Sequence, residues 1–184
     1  MLFFFITAAF LTILCGIIYA TVQQTYRTAA NDPQVQLAYD SKDFLEQGHT
    51  VEALFAALKL FPADSLDIAR SNGVFLTVYD AEKRPIHSNG YLHRRLPSPP
   101  TGIFDAAKQK TENRFTWQPE PGVRIAMVVI YMNSPGIGFV GVGRSLRETE
   151  IREANLVKTI FAGYVLCFVL LIVLFLLFPA IEKK

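Results

Sequence analysis

Apolar residues are concentrated at the two ends of the chain. Leu2–Val22 and Thr159–Ile181 contain no charged residue, and the second run is dominated by Leu, Phe, Val and Ile. A helix needs roughly 20 apolar residues to cross about 30 Å of hydrocarbon. The pattern therefore predicts two transmembrane helices with a separate domain between them.

The first apolar run predicts an uncleaved signal anchor. It is longer than the roughly 7–15 residues of a signal-peptide core, and no Lys or Arg precedes it. The tripeptide Ile18-Tyr19-Ala20 is also a poor match to a cleavage site with small residues. A cleaved signal peptide is the alternative interpretation.

Four segments follow from this organisation. We expect an anchor at 1–22, an extracytoplasmic domain at 23–144, an exit helix continuing into the second transmembrane helix at 145–181, and a cytoplasmic tail at 182–184. Lys183 and Lys184 favour a cytoplasmic C-terminus, whereas basic residues on the domain side of the second helix oppose it. The positive-inside rule applies to short loops, and long domains translocate largely regardless of charge. We therefore place both ends in the cytoplasm.

The first membrane helix carries small residues at every fourth position. These are Ala8, Thr12, Gly16 and Ala20. Small residues at this spacing allow close helix approach. The pattern predicts a packing face for the second helix or for a twin copy, with a chance arrangement as the alternative.

Helical signals open the region between the membrane segments. Asn31-Asp32-Pro33 is typical of a helix start, which predicts a helix over Pro33–Gln47 ended by Gly48. Thr50 is the expected cap of a second helix, and Asp64 that of a third over Ser65–Arg70. The second helix has an apolar face formed by Val51, Leu54, Phe55 and Leu58.

The pattern then changes to the two-residue period of strands. Predicted strands cover Val74–Tyr79, Arg84–Ser88, Arg114–Gln118, Val123–Tyr131 and Gly138–Arg144, with a helix over Ile103–Lys110. Val123–Tyr131 is apolar on both faces, which indicates an internal strand. Gly141 and Gly143 share one face, where we expect close packing. The fold class is therefore α+β, with roughly five antiparallel strands and flanking helices.

A long exit helix follows the last strand. Ser145 and Glu148 fit a capping box, and no breaker follows before Pro179. About 34 residues at 1.5 Å per residue give a rod of about 50 Å. Such a rod can transmit displacement into the membrane, and a passive stalk is the alternative interpretation.

Composition and charge narrow the function classes. The chain is 51% hydrophobic, and its net charge of +2 gives no sign of a nucleic-acid binder. Both cysteines, Cys15 and Cys167, lie in the membrane segments, where we interpret them as small apolar residues rather than a disulfide.

Motifs for catalysis and cofactors are rejected on their context. Gly136-x-Gly138-x-x-Gly141 matches a dinucleotide fingerprint in letters, but it runs into a strand rather than from a strand into a helix. His49, His87 and His93, even with Asp80, lack the paired spacing of a zinc site. We expect no cofactor and no metal, and we find no convergent acid and base for an enzyme.

Four residues are candidates for ligand contact: Trp117, Arg124, Tyr79 and Tyr91. An arginine within an apolar strand requires an anionic partner or water. Arg124 is therefore expected either to clamp a ligand carboxylate or to pair with Asp80 or Glu120. Core packing is the alternative for Trp117.

Three separated blocks carry a family resemblance. They are Gln23-Gln24-x-Tyr26-Arg27-x-x-Ala30-Asn31-Asp32-Pro33-Gln34-x-Gln36, Thr116-Trp117-Gln118-Pro119-x-Pro121-Gly122-Val123-Arg124-Ile125-Ala126 and Gly143-Arg144-Ser145-Leu146-Arg147-Glu148. Residues 21 to 153 resemble the extracytoplasmic sensor region of bacterial sensor histidine kinases. The resemblance implies a PAS-like (single-Cache) domain, a homodimer in the inner membrane, and a signal passed through the second membrane helix. After Ile181 only Glu-Lys-Lys remain, so the HAMP linker and kinase of that family are absent from this sequence.

The leading functional hypothesis is a sensory module of the inner membrane without catalysis of its own. It would detect an unknown small molecule or an envelope condition and relay the signal to a membrane-embedded or separate kinase partner. The alternatives are a structural or regulatory scaffold of a membrane complex and the truncated sensor half of a histidine kinase.

Overall fold

The computed structural model describes residues 2–29, 32–60 and 66–182. The chain forms two compact units. One comprises Met1–Thr28 together with Thr149–Lys184, and the other is Ala29–Glu148. We call them the helical unit and the sheet unit.

Five helices and seven strands are present in the described residues. The helices are α1 (Leu2–Ala29), α2 (Asp32–Glu46), α3 (Val51–Ala57), α4 (Thr101–Lys110) and α5 (Arg147–Glu182). The strands are β1 (Leu66–Asp67), β2 (Val74–Tyr79), β3 (Pro85–Ser88), β4 (Gly90–Tyr91), β5 (Glu112–Glu120), β6 (Val123–Ser134) and β7 (Ile137–Ser145).

The sheet unit is built on a five-stranded sheet in the order β3-β2-β7-β6-β5. All neighbouring strands pair antiparallel, as the sequence pattern predicts. β6 is an internal strand in which Ile125–Ile130 is buried throughout, because both faces of the sheet are covered. The α+β class and the five-stranded antiparallel sheet are confirmed.

Alternating side chains divide the core into two apolar layers. Leu76 and Val128 point to the face covered by α2 and α3, where they pack in one cluster with Ala38 of α2 and Leu54 of α3. The opposite face carries a second cluster that includes α4 residues. Its buried members are Ile68, Phe75, Tyr79, Phe104, Ala107, Val123, Ile125, Met127, Val129 and Phe139. The sheet is therefore sandwiched between helices, and its internal strands β2, β7 and β6 bury side chains on both faces.

The ends of α2, α3 and α5 carry the capping residues that the sequence predicts. The Thr50 side chain accepts a hydrogen bond from the Ala53 backbone N–H at 3.2 Å, which caps α3. Gly48, just past the end of α2, has a φ of 86°, a conformation that glycine adopts without steric strain. Ser145 Oγ accepts from the Arg147 backbone N–H at 3.3 Å at the start of α5.

The predicted third helix over Ser65–Arg70 is wrong. Asp64 and Ser65 lie outside the described residues, and Leu66–Asp67 forms β1, which pairs parallel with β4. Asp67 Oδ1 accepts from the Ala69 N–H at 3.1 Å, and the Asp67 carbonyl accepts from the Arg70 N–H at 3.0 Å. This local turn is favoured over a helix because the few hydrogen bonds of a six-residue helix do not offset the entropy lost in starting it.

Close packing at Gly141 and Gly143 is confirmed. A Cβ atom on Gly141 would lie 2.8 Å from Met127 Cε and 2.9 Å from Tyr79 Cε2. A Cβ atom on Gly143 would meet the ring of Phe75, which is 1% exposed. Glycine at these positions allows large aromatic side chains of β2 to lie across β7.

Within residues 2–29, 32–60 and 66–182, two helices are long and apolar enough to cross a membrane. The candidate spans are Phe4–Tyr26 in α1 and Arg147–Leu177 in α5. Their apolar side chains are exposed in the unit, including Phe10, Phe161 and Leu174. Two such helices on either side of a central sheet in the sequence fit a two-pass membrane protein.

Candidate ligand-binding site

The space between the sheet and α4 is filled by aromatic rings. The Phe104 ring of α4 packs edge-on against Tyr79 of β2 at 4.9 Å and against Phe139 of β7 at 5.0 Å between centroids. Tyr79 has no exposed surface, and its hydroxyl donates to the Pro97 carbonyl at 3.1 Å. A ligand reaches Tyr79 only if this aromatic cluster opens.

Burial raises the pKa of the Tyr79 hydroxyl well above its ordinary value, against an opposing hydrogen bond from Thr77. The phenol is therefore neutral at physiological pH and acts as a hydrogen-bond donor. Its bond to Pro97 ties the proline-rich loop before α4 to the sheet. In this geometry Tyr79 positions the loop.

Trp117 lies half-buried on β5, opposite Ile125 of β6. Like Phe115, it is partly buried against the α4-side cluster that contains Tyr79. The alternation of Phe115 and Trp117 with exposed Arg114 and Thr116 is confirmed.

Tyr91 borders an open cleft of about 430 Å³. The other described residues that line this cleft are Asp67, His93 and Arg94. His93 and Arg94 occupy the tip of a tight turn closed by the Leu92–Arg95 bridge, with φ values of 50° and 63°. His93 Nε2 also lies 2.7 Å from Glu120 Oε2. The cleft thus combines a phenol, an acid and two basic side chains.

Arg124 lies apart from the other three candidates. It is exposed on β6 and alternates with the residues that face α4, so it shares the α2 side of the sheet with Val128. Both of its expected acidic partners contact another basic side chain. Asp80 Oδ2 accepts from Arg84 Nε at 2.7 Å, and Glu120 pairs with His93.

The four predicted residues therefore occupy three surroundings. Tyr79 and Trp117 contribute to the α4-side apolar cluster, Tyr91 borders the open cleft, and Arg124 is on the opposite face of the sheet. Their contact with a ligand stays a prediction. Sequence reasoning does not find the cleft, because the pattern predicts a helix at Asp67 and the spacing of His93 is tested only against a zinc site.

The three histidines have separate neighbours. His49 stacks on Phe44 at 4.2 Å, and His87 packs edge-on against Phe55 at 4.6 Å between ring centroids. His93 lies beside Glu120. Among residues 2–29, 32–60 and 66–182, no group of three His, Cys, Asp or Glu side chains is arranged to hold a metal ion.

Side-chain contacts hold α1 against α5 in the helical unit. The Thr12 hydroxyl lies 3.1 Å from the Tyr164 hydroxyl, and Gln23 Nε2 donates to Glu153 Oε1. At the other end the Phe4 ring packs against Phe175 at 4.9 Å. Along these contacts the α1 residue numbers rise while the α5 residue numbers fall, so the two helices are antiparallel.

The small-residue pattern of α1 contributes only in part to this contact. Thr12 bonds to α5 and to the Ala8 carbonyl, and Ala8 is half-buried. A Cβ atom on Gly16 would meet nothing within 4 Å, and Ala20 is exposed. Pairing of Gly16 and Ala20 with a twin copy stays a prediction.

No protein-family model matches the chain, and a search of curated proteins finds no significant match.

Proposed function

We propose that the chain is a sensory module of a bacterial inner membrane, with a PAS-like (single-Cache) sheet unit outside the cytoplasm. The module detects a small molecule or an envelope condition and relays it through α5, without catalysis of its own. The observation that carries this proposal is α5 itself, a single helix of 36 residues with charged first turns and an apolar remainder.

The sheet is joined to α5 without a flexible linker. β7 ends at Ser145 and α5 begins at Arg147, and the intervening Leu146 N–H donates to the Arg124 carbonyl at 2.8 Å. Arg144 of β7 lies 3.7 Å from Glu148 in the first turn of the helix. A shift of β6 or β7 therefore acts directly on the start of α5.

Polar contacts between α1 and α5 define how the two helices are aligned along their axes, so a movement of α5 would exchange one set of contacts for another. Apolar surfaces in lipid give little preference for one register, whereas hydrogen-bonded pairs define it. Thr12–Tyr164 and Gln23–Glu153 are such pairs, and they lie eleven residues apart along each helix. We propose that a homodimer of the module passes this movement to a kinase in the membrane or bound to it.

One alanine inserted after Glu150 tests the relay. We expect it to rotate the downstream part of α5 by about 100°, because the helix has 3.6 residues per turn. Single cysteines placed in turn at positions 165–170, with the remaining native cysteines replaced by alanine, report which α5 position forms a disulfide between two copies. The crosslinking maximum should move to the preceding residue.

Insertion of seven residues at the same site is the matched control. It adds nearly two whole turns and should leave the maximum unchanged. If the single alanine also leaves the maximum in place, membrane packing alone sets the orientation of α5, and the helix is a passive stalk. If none of the positions 165–170 forms a crosslink between two copies, the proposed homodimer is contradicted.

Sidedness has its own prediction. Ser98 is exposed on the proline-rich loop, and the sheet unit contains no native cysteine. In a chain with Cys15 and Cys167 replaced by alanine, Ser98→Cys should react with a membrane-impermeant maleimide in cells whose outer barrier is opened. A cysteine appended after Lys184 should react only after the inner membrane is lysed. The reverse pattern would place the sheet unit in the cytoplasm.

A further inference from the structure

A second cleft lies where the start of β7 meets the β2–β3 turn and α4. Its volume is about 180 Å³, and it is more enclosed than the cleft beside Tyr91. Lys83, Asp105, Lys108, Tyr131 and Asn133 line its sides, and Phe139 is buried in its floor. We propose that this cleft binds a compact oxyanion, a small carboxylate or a phosphate.

Two lysines and one carboxylate line this cleft. Lys83 Nζ lies 2.6 Å from Asp105 Oδ1, and the Lys83 side chain is only 26% exposed. Lys108, three residues after Asp105 on α4, places its ammonium 5.7 Å from the centre of the Tyr131 ring. Within the part of the chain that the structure describes, no carboxylate lies at ion-pair distance from Lys108. The cleft therefore has one positive charge in excess.

The backbone brings Lys83 to the cleft. Lys83 has a φ of 69° in the turn between β2 and β3, and this turn lies directly against Gly138. A Cβ atom on Gly138 would come within 2.7 Å of the Ala81 Cα, so a larger residue would displace the turn. Glycine at position 138 thus allows the turn that carries Lys83 to pack closely against β7.

Neutral groups complete the environment of an anion. Tyr131, Asn133 and Ser134 line the cleft, and each of these side chains can donate a hydrogen bond. Phe139 is buried on the same side of the sheet as Tyr131, and it gives the cleft an apolar wall. Charge-assisted hydrogen bonds from ammonium groups strengthen when water is partly excluded.

The volume limits the ligand to a small molecule. A cavity of about 180 Å³ accommodates inorganic phosphate, acetate or succinate, whereas a nucleotide or an oligosaccharide requires a larger site. Binding at this cleft does not depend on a relay through α5. If the chain binds the anion but the alanine insertion leaves the crosslinking maximum in place, the relay through α5 is contradicted and the oxyanion site is still supported.

Calorimetric titration of the full chain in lipid nanodiscs tests the proposal. The probes are inorganic phosphate, acetate and succinate, with chloride at equal ionic strength as the control. At least one oxyanion should bind with saturation, and the comparison distinguishes a tetrahedral from a planar anion. Absence of saturable binding by all three at millimolar concentrations would overturn the proposal.

Variants assign the binding to the cleft. Lys108→Gln should weaken the affinity about tenfold, as expected for a lost charge-assisted hydrogen bond. Lys110→Gln, an exposed lysine on the same helix outside the cleft, should change it less than about twofold. Equal effects of the two variants would reduce the binding to general charge attraction and overturn the site.

Asp105→Asn provides a gain in affinity that misfolding cannot imitate. Removal of the Asp105 charge frees Lys83 for the ligand and removes the negative charge nearest to it. The affinity for the same anion should therefore rise about tenfold. Weaker binding by Asp105→Asn would contradict the proposed orientation of the anion between the two lysines.

Discussion

Phe104→Ala is expected to lower the free energy of unfolding of the sheet unit by about 3–5 kcal/mol. The Phe104 side chain is 1% exposed and contacts two further aromatic rings, so its removal leaves a cavity that the rigid sheet cannot close. Urea denaturation of the full chain in detergent measures the loss. The fluorescence of Trp117, the single tryptophan, reports it from the same cluster.

Ile86→Ala is the matched control for this truncation. Ile86 is an apolar residue of β3 that is 45% exposed, so its loss should change stability by less than about 1 kcal/mol. Small aromatic molecules such as benzene or indole should stabilise Phe104→Ala and leave the unsubstituted chain unaffected, since an apolar cavity binds apolar guests. A loss below about 1 kcal/mol would show that α4 repacks and that Phe104 does not fill the space.

The regular elements were predictable because their side-chain periods are visible in the sequence. β6 is apolar on both faces and is internal in the sheet, and β5 alternates as expected. Gly141 and Gly143 lie two residues apart in a strand, so their shared face and close packing followed from strand geometry. The end helices were predictable from length and lack of charge.

The irregular segments were not predictable in the same way. β1 and β4 have two residues each, too few to show a period, and they pair across about twenty residues of chain. The turn at His93 and Arg94 has two residues with positive φ, a conformation for which sequence rules expect Gly or Asn. Tertiary contacts therefore decide these segments.

The candidate sites were also predictable only where they depend on regular elements, and not where they depend on tertiary contacts. Tyr79 and Trp117 are identifiable from the sequence as aromatic residues of strands, but the cluster that they contribute to also requires Phe104 and Ala107 of α4. The oxyanion cleft combines Lys83, Lys108 and Tyr131 from a turn, a helix and a strand. No spacing in the sequence marks this combination, since charged surface residues are common and only the fold brings these together.

Gln34→Met is expected to raise the free energy of unfolding by about 1–3 kcal/mol, the opposite sign to most core substitutions. Gln34 is 1% exposed on the buried face of α2, which also carries Ala38, Ser41 and Leu45. Ser41 satisfies its hydroxyl by donating to the Leu37 carbonyl at 2.6 Å. Among the described residues, neither the amide nitrogen nor the amide oxygen of Gln34 has a hydrogen-bond partner.

Methionine tests this prediction because it nearly preserves the volume of glutamine and removes both polar atoms. Gln36→Met, an exposed position two residues later on the same helix, should change stability by less than about 0.5 kcal/mol. Urea denaturation of both variants measures the difference. A stabilised Gln34→Met with altered α5 crosslinking would mean that the polar group is retained for movement of the sheet unit at the expense of its stability. Destabilisation would instead show that the amide is satisfied by water inside the core.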